Sequence, residues 1–318
     1  MFKKGLTIVV CCYNSAERLH QTLQHIAAQK CSGHIDWELI IVNNNSTDTT
    51  VSVAKAFAAS HPSLQIKILD ESKPGLSFAR HCGFVNAAFE YVLLCDDDNW
   101  LDPYYLETAY NLMESNPEIG VLGGVGNAVA DINIPDWFKR NENSYAVGKL
   151  FGNAGYVKYV YGAGMILRLP VYLNGLKKGF TSLLSDRKGK ELSSGGDIEL
   201  CYMFRLMGYK VFQSEQLKFD HFVDEGKLTD DYRQRINKGF AKTLLALRPY
   251  DLVISQRSES PGLLWLKEYC YLLKETLINV FKPKEDWNYL KSSLKVMLKY
   301  NREFRYNVKH IRSFASKQ

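Results

Sequence analysis

The sequence lacks a long hydrophobic run. No stretch of its 318 residues approaches the roughly 18 consecutive apolar residues that a membrane-spanning helix needs. The first residues, MFKKGLTIVVCCYNS, are basic and then apolar, but the apolar run is short and no small-residue cleavage site follows it. We therefore expect neither a spanning helix nor a secretory leader, and we expect a cytoplasmic protein.

The cysteines lack a recognisable pattern. The chain has seven cysteines, an odd number, and Cys11 and Cys12 lie inside an apolar, strand-like run. No CxxC pair and no paired His-Cys cluster occurs. The composition therefore excludes a disulfide framework and a structural zinc site, and it indicates reduced thiols.

The familiar glycine-rich and nucleophile motifs are also missing. The sequence GGVG at 123–126 is neither a GxGxxG fingerprint nor a P-loop, and no GxSxG occurs. Dinucleotide binding, P-loop ATP binding and serine-hydrolase chemistry therefore have no support.

Excess positive charge is confined to the end of the chain. The net charge is +6, and from Leu263 onward 12 Lys/Arg face 5 Asp/Glu. Two stretches in this tail, GLLWLKEYCYLLKETLINVF and WNYLKSSLKVMLKYNREFRYNVKHIR, are apolar and aromatic with bases at regular intervals, including Lys267, Lys274 and Lys282.

Two interpretations of this tail stay open. Basic amphipathic helices lie on anionic membranes, or their apolar face packs on the rest of the protein or on a second copy in a homo-oligomer. We expect the first stretch to pack its apolar face on protein, and we expect the second stretch to contact the inner face of the plasma membrane. No recognised nucleic-acid module accompanies the tail, so no nucleic-acid partner is expected.

Strand and helix patterns alternate over the first hundred residues. LTIVVCCY, WELIIVNNN, LQIKIL and YVLLC have the composition of buried strands, and helical stretches lie at about 16–29, 49–60 and 75–89. This alternation predicts an α/β fold with a mostly parallel sheet covered by helices on both faces. After residue 100 the sequence predicts a helix at 103–115, a strand at 119–130 and loops at 131–160. It then predicts a short strand at 160–168, a helix from about Asp197, a strand at 210–212 and helices after 226.

Polar clusters stand where three predicted strands end. In parallel α/β sheets, ligands bind at the carboxyl ends of the strands. Adjacent carboxylates repel one another unless a cation lies between them, and Mg²⁺ or Mn²⁺ binds carboxylates together with phosphate oxygens. For the three aspartates, the alternative to a metal site is an ordinary polar loop before a helix that begins at NWLDPYYL. Their position at the end of a strand favours the metal site. The clusters are Tyr13-Asn14, Asn43-Asn44-Asn45 and Asp96-Asp97-Asp98.

Six motifs occur in a recognisable order over about residues 5–225. They are VVCCYNSAERLHQTL, ELIIVNNNSTDTT, GLSFARHCGF, LLCDDDNWLDP, GAGMILR and SGGDIEL. In this order they resemble the motifs of family 2 glycosyltransferases with the GT-A fold. The resemblance implies one nucleotide-sugar site, a divalent Mn²⁺ or Mg²⁺ and an inverting displacement. It also implies a catalytic domain at 1–225, followed by a basic, mainly helical extension at 226–318.

The resemblance assigns the donor nucleotide to residues near the first three strands. Tyr13 resembles the residue that packs against the nucleobase, with Asn14 beside it. Asn43 and Asn44 stand where the family commonly has a base-reading aspartate, and an amide still donates and accepts along a uracil edge. Arg80 matches an arginine that faces the nucleotide. Ordinary strand-end packing for Tyr13 and a surface salt bridge for Arg80 are the alternatives.

The resemblance assigns the metal to the aspartate run. Asp98 is the expected direct ligand, and Asp96 completes the DxD pattern as a second ligand. Asp96 or Asp97 is expected to meet the ribose or a metal-bound water. His221 matches a histidine near the metal or diphosphate, with a purely structural hydrogen bond as the alternative. Trp100 is expected to pack under this loop.

The resemblance also identifies a candidate general base. Asp197 in SGGDIEL aligns with the catalytic aspartate, which takes the proton of the acceptor hydroxyl. Capping of a helix is the alternative role for this residue. The glutamate that precedes it in the family is Gly196 here, and Glu199 is expected to face elsewhere. The loop where donor sugar and acceptor meet is expected at Gly162, Ala163 and Gly164.

These assignments predict a metal-dependent, inverting glycosyltransferase. It would move a sugar from a UDP-sugar to a hydroxyl of a glycan or lipid-linked glycan, one sugar at a time, because the Q/RxxRW motif and membrane spans of processive synthases are absent. A catalytically impaired nucleotide-sugar-binding or scaffold subunit is one alternative, kept open by Gly196 and the paired asparagines. A sugar-phosphate nucleotidylyltransferase is another, although its GxGxRL start is absent.

Overall fold

The computed structural model describes residues 2–31, 33, 35–152, 154–184, 195–255, 258–278, 294–295 and 297–318. The strands are β1 (Lys3–Cys12), β2 (Trp37–Asn43), β3 (Ile66–Asp70), β4 (Phe89–Asp96), β5 (Asn99–Leu101), β6 (Ile119–Val129), β7 (Gly155–Val157), β8 (Ile166–Arg168) and β9 (Lys210–Phe222). The α-helices are α1 (Leu19–Ala27), α2 (Thr50–Ser60), α3 (Leu76–Asn86), α4 (Tyr105–Ser115), α5 (Leu169–Lys177), α6 (Gly196–Leu206), α7 (Asp230–Ile254), α8 (Pro261–Ile278) and α9 (Asn301–Ala315). Short 3₁₀ helices lie at Phe138–Arg140, Glu142–Tyr145, Leu150–Gly152 and Glu225–Leu228.

One sheet organises the chain, in the order β3-β2-β1-β4-β8-β6-β9-β5, with β7 also paired to β9. Strands β3, β2, β1 and β4 are parallel, and so are β6 and β9. Strand β8 runs antiparallel to both of its neighbours, and β5 and β7 run antiparallel to β9. The predicted α/β class with a mostly parallel sheet is confirmed.

The register of the parallel strands brings their carboxyl ends together. Cys12 is paired with Asn43, Asn43 with Asp70, and Cys11 with Asp96. The loops that follow β1, β2 and β4 therefore leave the same edge of the sheet. The three polar clusters predicted at strand ends are neighbours there.

Both faces of the sheet are covered, as the continuous apolar strands require. Side chains alternate between faces along a strand. Ile8 and Val10 of β1 are buried in the cluster that includes α1, α2 and α4, whereas Val9 is buried with α3, α5 and α6. Each strand therefore needs apolar residues at successive positions, which is the pattern that LTIVV shows.

Several elements differ from the prediction. Asn99–Leu101, for which no strand was predicted, pairs with β9, and the helix expected from about Pro103 begins at Tyr105. Strand β7 lies in the region 131–160 that was predicted as loops. Strand β9 continues to Phe222 instead of stopping at 212, since a shift in register lets its second half pair again with β6. Helix α5 follows β8 directly and was not predicted; a proline in its first turn favours a helix start there.

The tail packs on the face of the sheet that carries α6. Tyr250 of α7 stacks on Tyr202 of α6 with 5.3 Å between ring centroids, and its hydroxyl donates to Glu199 Oε1 at 2.7 Å. Phe314 of α9 packs against Phe180 with centroids 5.4 Å apart. The apolar face of α9 is thus buried against the rest of the protein. For this part of the second basic stretch, the structure agrees with packing on the protein, the alternative to membrane contact.

The position of the domain boundary near residue 225 stays a prediction. Residues 279–293, which include Lys282, the end of the first stretch and the start of the second, lie outside the described residues. Within the described part of the chain, no helix has both the length and the apolar character that crossing a bilayer requires.

Candidate active site

The aspartate run forms a turn in which the three carboxylates are held separately. Strand β4 ends at Asp96, whose backbone N–H donates to Asn99 Oδ1 at 3.0 Å. The carbonyl of Asp98 accepts a hydrogen bond from the N–H of Phe222 on β9. Because Asp97 and Asp98 belong to a turn and not to a strand, Asp96 and Asp98 are not aimed to one side by the alternation of side chains along a strand.

Asp97 is held by helix α1 and the loop before it. Arg18 donates from Nε to Asp97 Oδ1 and from Nη2 to Oδ2, both at 2.9 Å, and the Ser15 hydroxyl also donates to Oδ2. Burial lowers the pKa of Arg18, but the charge of Asp97 outweighs this and raises it above its ordinary value. The carboxylate of Asp97 is therefore already bonded to residues at the start of α1. Of the two carboxylates considered for the ribose, Asp96 has fewer partners in the protein and is the better candidate. The pairing of Arg18 with Asp97 was not predicted from the sequence.

Asp98 lies between a histidine and a lysine. Its carboxylate is 3.3 Å from His221 Nε2 through Oδ1 and accepts from Lys227 Nζ at 2.8 Å through Oδ2. Burial would raise the pKa of Asp98, but His221 and Lys227 hold it well below its ordinary value. The predicted proximity of Asp98 and His221 is found. Lys227 was missed, although a lysine in the turn just after β9 could have suggested a cation near this edge.

Asp96 and Arg80 form the inner wall of the site. Burial raises the pKa of Asp96, and Arg80 is the strongest opposing influence. Arg80 is buried on α3, so its guanidinium is part of the interior and the surface salt bridge considered from the sequence does not describe it. A buried guanidinium beside a carboxylate at a strand end suits a phosphate or ribose ligand.

Asp197 lies in the first turn of α6, close to Arg80. Its Oδ2 accepts from the backbone N–H of Gly162 at 2.7 Å, and its Oδ1 accepts from the N–H of Ile198 at 2.9 Å. The N-cap position belongs to Gly195, so Asp197 is not the capping residue. A carboxylate has about four lone-pair sites, so it can still accept a substrate proton.

The loop before β8 approaches both side chains. A Cβ placed on Gly162 would lie 2.7 Å from Arg80 Nη2 and 3.2 Å from Asp197 Cβ, so a side chain there would displace the end of Arg80 and crowd Asp197. Ala163 is buried, and Gly164 has a φ of +69° and accepts from the Tyr105 hydroxyl at 2.7 Å. The small residues predicted for this loop thus allow its backbone to lie against the candidate base.

Glu199 is the other carboxylate on α6 and serves a different purpose. It is almost fully buried and accepts from Leu183 N–H at 2.7 Å, from the Ser182 hydroxyl and from Tyr250. Burial raises its pKa. Glu199 therefore faces away from Asp197, as predicted, and joins α6 to α7 and to the segment near 183.

The residues predicted to bind the nucleobase surround the ends of β1, β2 and β3. The ring of Tyr13 is half exposed, and Asn14, at a φ of +50°, accepts from Thr47 N–H at 2.8 Å. Asn43 donates from Nδ2 to Asp70 Oδ1 at 2.8 Å. Asp70 was not singled out in the sequence, yet it brings a carboxylate to the amide at position 43.

Asn44 is buried, and all its amide positions are used by the backbone. It donates from Nδ2 to the carbonyls of Glu71 at 3.0 Å and Lys73 at 2.7 Å, and its Oδ1 accepts from Gly75 N–H at 2.8 Å. Asn44 therefore fixes the loop between β3 and α3. A carboxylate could not make the two donated bonds.

We expect Asn44→Asp to lower the free energy of unfolding by about 1–3 kcal/mol, because an acceptor would then face two carbonyl oxygens. Urea denaturation measures this loss. Asn45→Asp is the matched control at an exposed neighbouring position, with an expected loss below about 1 kcal/mol. Equal losses in the two variants would contradict the role assigned to the Asn44 amide.

Two of the three predicted metal ligands are neighbours. Asp98 Oδ1 and His221 Nε2 lie 3.3 Å apart, and His221 Nδ1 is buried without a hydrogen-bond partner. Magnesium and manganese are often held by one or two protein ligands together with substrate phosphates. In the part of the chain that the structure describes, no group of three or more His, Cys, Asp or Glu side chains is arranged to hold a metal, so Asp96 does not complete a protein-only site.

Trp100 lies under the turn, as predicted. Its ring stacks between His25 and Phe222, with centroid distances of 5.7 and 5.5 Å. This packing accounts for the tryptophan after the aspartates without a sugar contact.

Comparison with curated proteins gives partial matches. Glycosyltransferase GlyA of Streptococcus pneumoniae is 32% identical over 117 residues, which are 36% of this chain and 16% of that protein. The poly-beta-1,6-N-acetyl-D-glucosamine synthase of Staphylococcus epidermidis is 28% identical over 125 residues, which are 38% of this chain and 28% of the synthase. The chain thus spans less than a third of the length of these two relatives.

Solved structures with the same fold cover almost the whole chain. S. aureus TarS 1–349 in complex with UDP-GlcNAc has a TM-score of 0.54 at 15% identity and covers 97% of this chain and 90% of that one. The mannosyltransferase PcManGT from Pyrobaculum calidifontis, in complex with GDP-Man and Mn²⁺, has a TM-score of 0.58 at 17% identity, covering 95% and 88%. These similarities establish the GT-A fold.

The family model described as "Glycosyl transferase family 2" matches residues 7–170, more than half of the chain. This range contains the aspartate turn, Arg80 and the glycine loop at 162–164. The sequence match, the GT-A fold and the arrangement of these residues agree, and the chain belongs to glycosyl transferase family 2.

Proposed function

We propose that the chain is an inverting, metal-dependent glycosyltransferase that moves a sugar from a nucleoside diphosphate sugar to an acceptor hydroxyl. The observation that carries the proposal is the continuity of the site. Asp197 and Arg80 flank the same glycine, Arg80 opposes Asp96, and the turn continues to Asp98 and His221. A candidate base, a guanidinium and a candidate metal ligand thus follow one another along the carboxyl edge of the sheet.

The residues present account for each part of the reaction. Asp197 accepts the proton of the acceptor hydroxyl as that oxygen forms a bond to the anomeric carbon. The bond from that carbon to the diphosphate breaks, and Arg80 and Lys227 provide positive charge for the leaving group. A divalent ion held by Asp98 and His221 would neutralise further negative charge on the diphosphate.

A UDP-sugar is the donor that we favour. The exposed ring of Tyr13 offers a surface for a base, and Asn43 with Asp70 offers a donor and an acceptor side by side. A uracil edge presents the complementary groups. One structural neighbour binds UDP-GlcNAc and another GDP-Man, so the fold itself is compatible with either base.

A glycan or lipid-linked glycan is the acceptor that we favour. A cavity of about 300 Å³ lies between α6, α7 and α8, and Ile198, the residue after Asp197, is part of its wall. Tyrosine rings and carboxylates, which suit the apolar faces and hydroxyl groups of a sugar, also line it, including Tyr159, Tyr202, Asp251 and Glu268.

The experiment is a donor panel. The purified chain is incubated with Mn²⁺ and with UDP-, GDP-, CMP- and dTDP-sugars, while released nucleotide is measured and donor binding is followed by calorimetry. We expect metal-dependent binding and slow hydrolysis of one donor, with UDP-sugars as the first candidates. Binding without turnover, even with glycan acceptors present, would favour the scaffold alternative. If none of the donors bound, the assignment of the donor site would be wrong.

A further inference from the structure

The outward face of helix α8 is apolar, whereas helix faces exposed to water are normally polar. Leu277 is 64% exposed and Leu273 is 40% exposed, and Leu266 is 48% exposed. Two lysines are the only charged residues on this face. The exposed set is Leu263, Leu266, Lys267, Cys270, Tyr271, Leu273, Lys274, Leu277 and Ile278.

The inward face of the same helix carries polar anchors. Glu268 and Thr276 are buried, and Glu268 accepts from Arg248 Nε at 2.7 Å and from Nη2 at 3.0 Å. Helix α8 is therefore attached to the protein in part by an ion pair, while most of its leucines point outward. Water alone would favour the opposite orientation, so the exposed face requires an apolar environment.

The exposed leucines form a continuous stripe. Leu263, Leu266, Leu273 and Leu277 are joined by Cys270 in steps of three and four residues, which keep to one side of a helix. The stripe is about 20 Å long at 1.5 Å per residue.

The charges on this face favour an anionic lipid surface over a second copy of the chain. Lys267 and Lys274 are both positive, and Lys267 is also 2.7 Å from Glu259, just before the helix. Arg305 of α9 lies beside the start of α8 at Gly262. Two such faces brought together would place like charges near one another, whereas lysines next to an apolar stripe extend toward lipid phosphates.

We infer that α8 is a membrane-docking helix that lies in the headgroup region of an anionic bilayer, with its leucine stripe in contact with the acyl chains. The structure thereby exchanges the roles expected for the two tail stretches. The second stretch uses its apolar face inside the protein, through Phe304, Val308 and Phe314, while the first exposes its own. This inference does not depend on the proposed activity.

The test is co-sedimentation of the full chain with phosphatidylcholine vesicles, with and without phosphatidylglycerol. We expect binding to the anionic vesicles, and about a tenfold or greater loss of partitioning in the double variant Leu273→Gln, Leu277→Gln. Lys274→Gln should weaken binding to anionic vesicles roughly fivefold. Val85→Gln, which changes a similarly exposed apolar residue on α3, is the matched control and should bind as the unmodified chain does.

Three outcomes would overturn the inference. Equal partitioning of the double variant and the control would show that the stripe does not contact lipid. A dimer in light scattering that becomes a monomer in the double variant would assign the face to a second copy. A drop in melting temperature confined to the double variant would show that the stripe is packed inside the protein. Metal-dependent nucleotide binding, measured in parallel, keeps these outcomes separate from the proposed activity.

Discussion

Asp197→Asn is expected to lower kcat by a factor of about 10²–10⁴, the usual contribution of a general base, and to leave donor binding nearly unchanged. The asparagine keeps the size of the side chain and can still accept from the N–H of Gly162, so the loop before β8 should hold its position. Only the bond from the neighbouring Ile198 N–H is lost, because the amide group then faces it. It cannot take a proton from the acceptor. Steady-state kinetics with acceptor, together with calorimetric donor binding, separate the two effects.

Glu199→Gln is the matched control on the same helix. Its amide keeps only one oxygen, so its N–H groups would face either the donors Leu183 and Tyr250 or the donors Ser182 and Leu184, and we expect a loss of about 1–3 kcal/mol in unfolding free energy. Its kcat per folded molecule should stay close to that of the unmodified enzyme. If Asp197→Asn lost stability to the same extent and kept its turnover, Asp197 would be a structural residue and the base would have to be sought elsewhere.

Asp98→Asn is expected to weaken metal-dependent donor binding by at least about 100-fold. Loss of partners that only orient metal ligands already costs 10–100-fold, and Asp98 is the proposed ligand itself. The binding of Mn²⁺ with UDP, measured by calorimetry, reports this effect without any need for turnover. The neutral amide also removes the partner of Lys227, so the melting temperature is recorded to account for any change in folding.

Asp97→Asn distinguishes the roles of the adjacent carboxylates. It removes the charge that pairs with Arg18 and replaces one of the two oxygens that accept from this arginine, so it is expected to destabilise the fold by about 1–3 kcal/mol, with little change in the apparent affinity for Mn²⁺ and UDP. Should Asp97→Asn abolish metal-dependent binding while Asp98→Asn preserves it, the metal assignment within the aspartate run would have to be reversed.

The sequence predicted the strands and the edge where the site lies because these depend on local patterns. Runs such as LTIVV specify buried strands, and parallel pairing then brings their ends together. Asp197, Asp98 and His221 were predicted through their motifs, and the structure places Asp98 beside His221.

Pairings between distant side chains could not be predicted in the same way. Arg18 meets Asp97 from 79 positions away, and Lys227 reaches Asp98 across 129. Neither pair leaves a periodic signal in the sequence. The tail presented a related difficulty, because hydrophobicity alone does not tell whether an apolar helix face is turned to the protein, as in α9, or to its surroundings, as in α8.

The hydrogen bond from the Tyr250 hydroxyl to Glu199 connects the tail directly to α6, the helix that carries Asp197. A chain shortened to residues 1–225 would leave the Glu199 carboxylate buried without its phenol donor and would uncover the ring of Tyr202. Such a fragment would lose the support of α6 two residues from Asp197. In the arrangement that we propose, a force on the tail at a bilayer would be transmitted through α7 to α6, the helix that carries the candidate base Asp197.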